Sequence, residues 1–276
     1  MRLSRVVFLM ARFVYRATPI LAVRQMYFRA FSWMVRDRVV RRQIDGAELE
    51  LDLGEVIDLT LYLGEFEKDV RKAIERYCKS GMTVLDIGAN VGAHALLLAR
   101  IVAPGGRVVA FEPTEYAFRK LVRNVALNPS FQVTTVQVAL AEVPAPPRKV
   151  YFRSSWPTFG PRKDGESLVA SERLDDWCDR NAIGHVDLIK MDVDGNEYGV
   201  LAGAENLLGR SHPTMLMEVV GPHLDDESRN PLRILERHGY TFRDVGSGQP
   251  TSIEQMRGRL PRGDTGLTTS IMIIAE

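Results

Sequence analysis

From residue 83 onward, short apolar runs alternate with longer amphipathic segments. The runs at 83–87, 107–112, 132–140, 186–192 and 214–220 have the length of strands, and the segments 91–102, 114–127, 196–208 and 230–238 carry helical spacing. Strand followed by helix, repeated, predicts a parallel sheet with helices on both faces. Two further strand-like runs, 240–245 and 269–275, have no helical pattern between them and read as a closing antiparallel hairpin. The expected fold is α/β, a doubly wound and mostly parallel sheet of seven strands with a C-terminal antiparallel hairpin.

Upstream the pattern changes. Residues 44–63 alternate apolar and polar positions around Gly46, which predicts short hairpin strands. A helix is expected from Lys68 to Lys79, ended by Ser80-Gly81. Residues 1–43 mix Arg with Phe, Leu, Val, Met and Tyr at roughly helical spacing, and Pro19 divides this stretch into two helices. The organisation predicted is a basic amphipathic helical extension over 1–43 and one Rossmann-like domain over 44–276, with 44–80 as its N-terminal hairpin and helix cap. Two insertions interrupt the regular pattern. Residues 143–166 suggest a β-excursion at the sheet's ligand edge, and 246–268, rich in Gly, Pro and Arg, suggest a mobile loop.

Composition adds little except in its distribution. The net charge is +1, yet residues 1–43 hold ten Arg, no Lys and one Asp, a local +9 that leaves −8 on the remainder. A basic amphipathic segment can lie on an anionic membrane surface, or it can pack on the domain or on a second copy with its Arg stems over apolar surface. The acidic remainder argues against nucleic acid as a partner. Cys78 and Cys178 have no metal-ligand spacing, which points to a reducing compartment. No apolar run approaches the about 18 residues of a spanning helix, so the expected location is the cytoplasm, with peripheral membrane contact through 1–43 as an addition.

Candidate chemistry gathers where strands end. The stretch Thr83-Val84-Leu85-Asp86-Ile87-Gly88-Ala89-Asn90-Val91-Gly92-Ala93-His94 reads as strand, tight turn and helix start. Ligands of such sheets bind at the carboxyl ends of the strands, and Gly88 and Gly92 let backbone approach a ligand closely. The spacing is not the Gly-x-Gly-x-x-Gly of pyrophosphate sites, and Asp86 ahead of the turn would repel a phosphate. Glu112, 26 residues after Asp86, ends the next strand, where a carboxylate can accept ribose hydroxyls. Together they suggest a nucleoside without phosphates, of which S-adenosylmethionine is the common one. On the strand 186–192, alternation sets Ile189 and Met191 on one face and Lys190 and Asp192 on the other. Asp192 at the strand tip faces cofactor and substrate. Glu218 holds the matching place on the next strand, either salt-bridged to Lys190 or turned to substrate, and His223 beyond that strand is a candidate general base. His94, His185, His212 and His238 are set aside as capping or surface residues. Asp192, Asp194 and Glu218 offer oxygen ligands to Mg²⁺, but no metal is assigned.

With those residues in view, the chain resembles the FkbM-type family of S-adenosylmethionine-dependent methyltransferases. The resemblance rests on Val84-Leu85-Asp86-Ile87-Gly88-Ala89-Asn90-Val91-Gly92, on Phe111-Glu112-Pro113, and on Leu188-Ile189-Lys190-Met191-Asp192-Val193-Asp194-Gly195-Asn196-Glu197. Leu174-Asp175-Asp176-Trp177, Val200-Leu201-Ala202-Gly203-Ala204 and Leu63-Gly64-Glu65-Phe66-Glu67 support it. It implies that Asp86, Gly88, Asn90 and Gly92 line the methionine moiety, that Glu112 holds the ribose, and that Glu142 sits near the adenine amine. It further implies O-methylation of a hydroxyl on a sugar, glycolipid or secondary metabolite, with Asp192 or His223 taking the proton. Asp194 stands where the family more often has Glu, and 138–142 lacks the usual Ser or Asp. N-methylation of a small-molecule amine and a cofactor-binding module without turnover are the rival readings.

Overall fold

The computed structural model describes residues 21–151, 157–158, 166–220, 224–259 and 270–276. The expectations placed on residues 1–20, including the break at Pro19, and on His223 lie outside the described residues. The chain divides into two units, 1–66 with 153–164, and 67–152 with 165–276.

In the first unit, helix α1 (Leu21–Val35) is followed by the hairpin β1 (Val39–Ile44) and β2 (Ala47–Asp52). Ile44 pairs with Ala47, so Asp45 and Gly46 alone make the turn, and both have positive φ (51° and 82°). A two-residue turn of that kind twists as the flanking strands do. The hairpin therefore begins at Val39, inside the stretch expected to be helical. Conversely, residues expected as strand form helix α2 (Val56–Leu63). Leu59, Leu61 and Leu63 mimic strand alternation, but Tyr62 and Asp58 are buried as well, and Asp58 accepts a 2.7 Å hydrogen bond from Asp52 N–H. Left-handed Gly64 (φ 75°) ends the helix, its N–H donating back to the Leu61 carbonyl at 3.0 Å.

The second unit opens with helix α3 (Lys68–Tyr77) and then runs β3 (Thr83–Ile87), α4 (Ala93–Val102), β4 (Arg107–Phe111), α5 (Glu115–Ala126) and β5 (Val133–Val136). Next come β6 (Ala139–Leu140), β7 (Ala145–Tyr151), β8 (Glu166–Glu172), α6 (Leu174–Arg180), β9 (Leu188–Met191), α7 (Glu197–Ala202), α8 (Glu205–Ser211) and β10 (Thr214–Val220). The last elements are α9 (Pro231–Arg237), β11 (Phe242–Asp244), β12 (Pro250–Thr251), α10 (Ile253–Arg259) and β13 (Ser270–Ala275). The main sheet has the order β12-β11-β13-β10-β9-β3-β4-β5. Strands β5, β4, β3, β9 and β10 are mutually parallel, and β13 inserts antiparallel between β10 and β11. All seven expected strands are present, and the two-residue β12 adds an eighth at the edge.

Three details differ from expectation. The run 132–140 splits, with β5 in the main sheet and β6 in a second sheet of order β6-β8-β7, which is the expected β-excursion. Helix α10 occupies part of the presumed loop 246–268; its Arg- and Gly-rich sequence hides the buried pair Ile253 and Met256. The helix expected over 196–208 is two helices. At Gly203, between them, an added Cβ would stand 2.4 Å from the Ala141 carbonyl, so packing against a distant segment sets the break.

Strand alternation gives the sheet two apolar faces. Leu85, Ile87, Val109, Phe111, Ile189, Met191, Met215 and Met217 join the core that includes α6 to α10, while Val84, Val108, Ala110, Leu188 and Leu216 join the core of α3, α4 and α5. Asp86 and Lys190, in register opposite each other, belong by alternation to the second face.

Buried Asp175 of α6 joins two helices on the first face. Its carboxylate accepts from Asn206 N–H (3.0 Å) and Leu207 N–H (2.8 Å), which are otherwise unpaired donors at the start of α8. Asp175→Ala should therefore lower unfolding stability by about 2–3 kcal/mol, read as a lower urea midpoint with an unchanged slope; a midpoint equal to wild type would refute the capping role.

Candidate active site

The turn after β3 is shaped by residues that tolerate left-handed backbone. Gly88, Asn90 and Gly92 have φ of 80°, 49° and 90°. At Gly88 the constraint is also steric, since a Cβ there would stand 1.8 Å from the Asp192 carbonyl oxygen. The turn is stitched to β4, as Gly88 and Ala89 N–H both donate to the Phe111 carbonyl at 2.9 Å. Glu112, buried just past β4, extends the stitching. It accepts from Asn90 N–H (2.9 Å), Thr114 N–H (2.9 Å) and the Thr114 hydroxyl. Burial pushes its carboxyl up, and the hydrogen bonds from Thr114 and Asn90 oppose the push. A carboxylate has about four acceptor places, so roughly one remains for a ligand hydroxyl.

Beneath the turn, Asp86 is 0% and Lys190 2% exposed. Lys190 Nζ lies 3.4 Å from Asp86 Oδ1 and 3.9 Å from Asp192 Oδ2, and it donates to the Gly88 carbonyl at 3.2 Å. Burial alone would favour a neutral amine, but Asp86, Asp192 and Glu67 outweigh it and hold Lys190 above its ordinary value. Burial pushes Asp86 up, against the opposing charge of Lys190. Lys190 and the Ala95 N–H are the donors nearest the Asp86 oxygens, though neither reaches good hydrogen-bond geometry, and Asn90 Oδ1 is buried without a partner. Buried acceptors in this state are costly and suit a ligand that brings N–H or O–H donors.

The structure thus brings Asp86, Gly88, Asn90, Glu112, Lys190 and Asp192 together around one turn. Asp192, whose side chain is 27% exposed, sits where β9 ends, its N–H donating to the Ile87 carbonyl. Oxygens of Asp192, Asp194 and Glu218 lie within 4.8 Å of one another, a convergence that sequence could not establish. Glu142 is more exposed (44%); its carboxylate is 3.8 Å from Arg229, which in turn covers the Tyr198 ring at 4.7 Å. Among the described residues no ion pair or hydrogen bond ties Glu142 to Asp86 or Glu112.

Sequence reasoning misplaced one residue of this site. His94, expected at the surface or as a cap, is buried in the first turn of α4, directly after the loop. Burial, with Lys190 and Arg71 acting in the same direction, holds it well below its ordinary value and therefore neutral. Its Nε2 lies 3.6 Å from Glu67 Oε2. The signal available was its position two residues past Gly92, which a surface reading of a helix N-terminus overrode.

Comparison with known proteins identifies the family. The Methyltransferase FkbM domain matches residues 86–242. The chain is 27% identical over 190 residues to the 2-O-methyltransferase NoeI of Sinorhizobium fredii, covering 57% of this chain and 76% of that protein. It is 26% identical over 223 residues to the 31-O-demethyl-FK506 methyltransferase FkbM of Streptomyces tacrolimicus, covering 67% and 83%. Among solved structures it is similar to the methyltransferase FkbM from Methylobacillus flagellatus, with 15% identity and a TM-score of 0.46, over 92% of this chain and 59% of that one.

Removing the buried cation should expose its role. Lys190→Met leaves Asp86 buried without a counter-charge and should cost about 3–5 kcal/mol at neutral pH. A carboxyl whose folded pKa lies above its unfolded value contributes stability at low pH that is lost as pH rises. Asp86 is already pushed up, and further so without Lys190, so the deficit should be smaller at pH 5 than at pH 8 in paired urea titrations. An equal deficit at both values would contradict the pairing.

Proposed function

The chain belongs to the FkbM family of S-adenosylmethionine-dependent methyltransferases, and from that premise we propose that it methylates a hydroxyl oxygen of a sugar, glycolipid or other small-molecule acceptor. One observation carries the reading: a part-exposed carboxylate, Asp192, held at the strand tip beside the cofactor turn by a buried, charged lysine. The names of the two curated relatives, which both specify oxygen as the methylated atom, support the same choice.

The residues present fit the cofactor. The incompletely satisfied oxygens of Asp86 and the unbonded Oδ1 of Asn90 suit the donors of its α-ammonium, and the remaining acceptor place on Glu112 suits one ribose hydroxyl. A diphosphate would meet Asp86 and Glu112 instead of cations. When bound, S-adenosylmethionine supplies an electrophilic methyl group on a sulfonium. The chain's own contribution is positioning and proton handling. Holding the acceptor oxygen close and in line supplies much of the rate. Asp192 would take the proton of the acceptor hydroxyl as its oxygen replaces the departing thioether sulfur on the methyl carbon. Lys190 cannot do so, since its neighbours keep it protonated; it fixes Asp86, Asp192 and the Gly88 carbonyl in relation to one another. Glu218 contributes to the acidity of the same corner. His223 is the alternative proton acceptor, and Glu142 the residue nearest the adenine amine.

Asp192→Asn is the test. It should bind S-adenosylmethionine by calorimetry as wild type does, while transfer of labelled methyl to a panel of oligosaccharides falls about 10²–10⁴-fold. His223→Gln in parallel should leave transfer within about threefold, because the larger proton-transfer contribution is assigned to Asp192. Undiminished transfer by Asp192→Asn removes it from the mechanism, and label entering only amine-bearing acceptors removes the O-methylation reading.

A further inference from the structure

Glu67 has no part in the mechanism above, yet it stands beside the same loop. It is the residue immediately before α3 and has left-handed backbone, with φ 35° and ψ 55°, a conformation that costs a non-glycine residue about 1–2 kcal/mol. Its Oε2 is buried and makes no hydrogen bond. The nearest histidine nitrogen, His94 Nε2 at 3.6 Å, is beyond hydrogen-bond length and belongs to a neutral ring. Burial pushes the Glu67 carboxyl up to about 7; Lys190 opposes the push, while Asp192 and Asp86 add to it.

Lys190 of β9, Asp192 just past it and Asp86 of β3 act on Glu67 electrostatically, His94 of α4 lies against it, and Arg71 follows one turn along its own helix. Of those that act on it electrostatically, two are carboxylates and one is an ammonium. With Glu67 itself, three acidic groups interact with Lys190, and the Asp86 carboxylate is fully buried, with Lys190 and the Ala95 N–H as donors that fall short of good hydrogen-bond geometry. A ligand cation balances such a set, whereas a neutral ligand leaves it unbalanced.

We propose that Glu67 is a further cofactor-binding residue, its carboxylate accepting a hydrogen bond from the α-ammonium of S-adenosylmethionine. The proposal rests on the cofactor assignment and extends it to a residue that precedes the FkbM match at 86–242. It makes binding proton-linked, because the carboxyl must be ionised to receive the ammonium.

Calorimetry on the full chain with three ligands tests it. S-Adenosylmethionine and S-adenosylhomocysteine both carry the ammonium, only the former carries the sulfonium charge, and 5′-methylthioadenosine carries neither. Glu67→Gln should weaken the first two alike, by about tenfold, and leave 5′-methylthioadenosine unchanged. In wild type, the Kd for S-adenosylmethionine should rise about fivefold from pH 7 to pH 6 as the carboxyl takes up its proton, and Glu67→Gln should flatten that rise. Loss confined to S-adenosylmethionine would direct Glu67 to the sulfonium and overturn the proposal. An equal loss for 5′-methylthioadenosine would also overturn it, by tracing the effect to the shape of the site. A flat wild-type pH profile overturns it without any variant. Wild type binding none of the three ligands would defeat the cofactor assignment itself.

Discussion

Everything at this site depends on one buried cation. Lys190 is buried, and its charge is tolerable because Asp86 lies opposite in the strand register, Asp192 lies two residues along, and Glu67 adds a third acidic group. A buried ion pair is weak evidence of stability, since apolar residues of similar volume often hold a core as well or better. What apolar residues cannot do is fix two carboxylates and a loop carbonyl around a common point. Lys190 does this by reaching Asp86, Asp192 and the Gly88 carbonyl at once. The turn proposed to receive the cofactor and the acid proposed to take the acceptor's proton are thereby tied together, although residues 88 and 190 lie 102 apart in the chain.

Much of this was legible in the sequence, for reasons that can be named. A period of two is a backbone property, so the face carrying Lys190 and Asp192 could be read without knowing any neighbour. Positive φ restricts residue choice, so Gly88, Asn90 and Gly92 announced a turn before its geometry was known. The failures have equally specific causes. Alternating leucines at 59, 61 and 63 satisfy a strand pattern, and only burial on several sides identifies a helix. The break at Gly203 is imposed by Ala141, more than sixty residues upstream, and leaves no local trace beyond a glycine. His94 was read as a cap or surface residue, and Glu67 either as a first-turn residue favoured by the helix dipole or as a contributor to the active-site mouth, because a charged or polar residue at a helix start has an adequate local explanation. Their burial depends on how α3 and α4 pack together.

The two acids of the cofactor loop differ in a way the sequence could not reveal. Both end or nearly end a strand, both are buried, and both are pushed up by burial. Glu112, however, is already committed to Asn90 and Thr114, and its first task is to hold the turn against β4. Those three hydrogen bonds leave about one of its four acceptor places open. Asp86 is the reverse case: charged neighbours surround it, yet its oxygens lack well-formed hydrogen bonds. A group already satisfied gains little from a ligand, while a buried acceptor lacking donors gains the full value of each new one. Binding free energy should therefore concentrate at the ammonium end of the cofactor, with Glu112 acting mainly through the shape it gives the loop. On the proposed assignment, a turn without the Gly-x-Gly-x-x-Gly spacing would hold a nucleoside chiefly through its amino-acid end, with the ribose meeting a carboxylate already engaged in holding the turn.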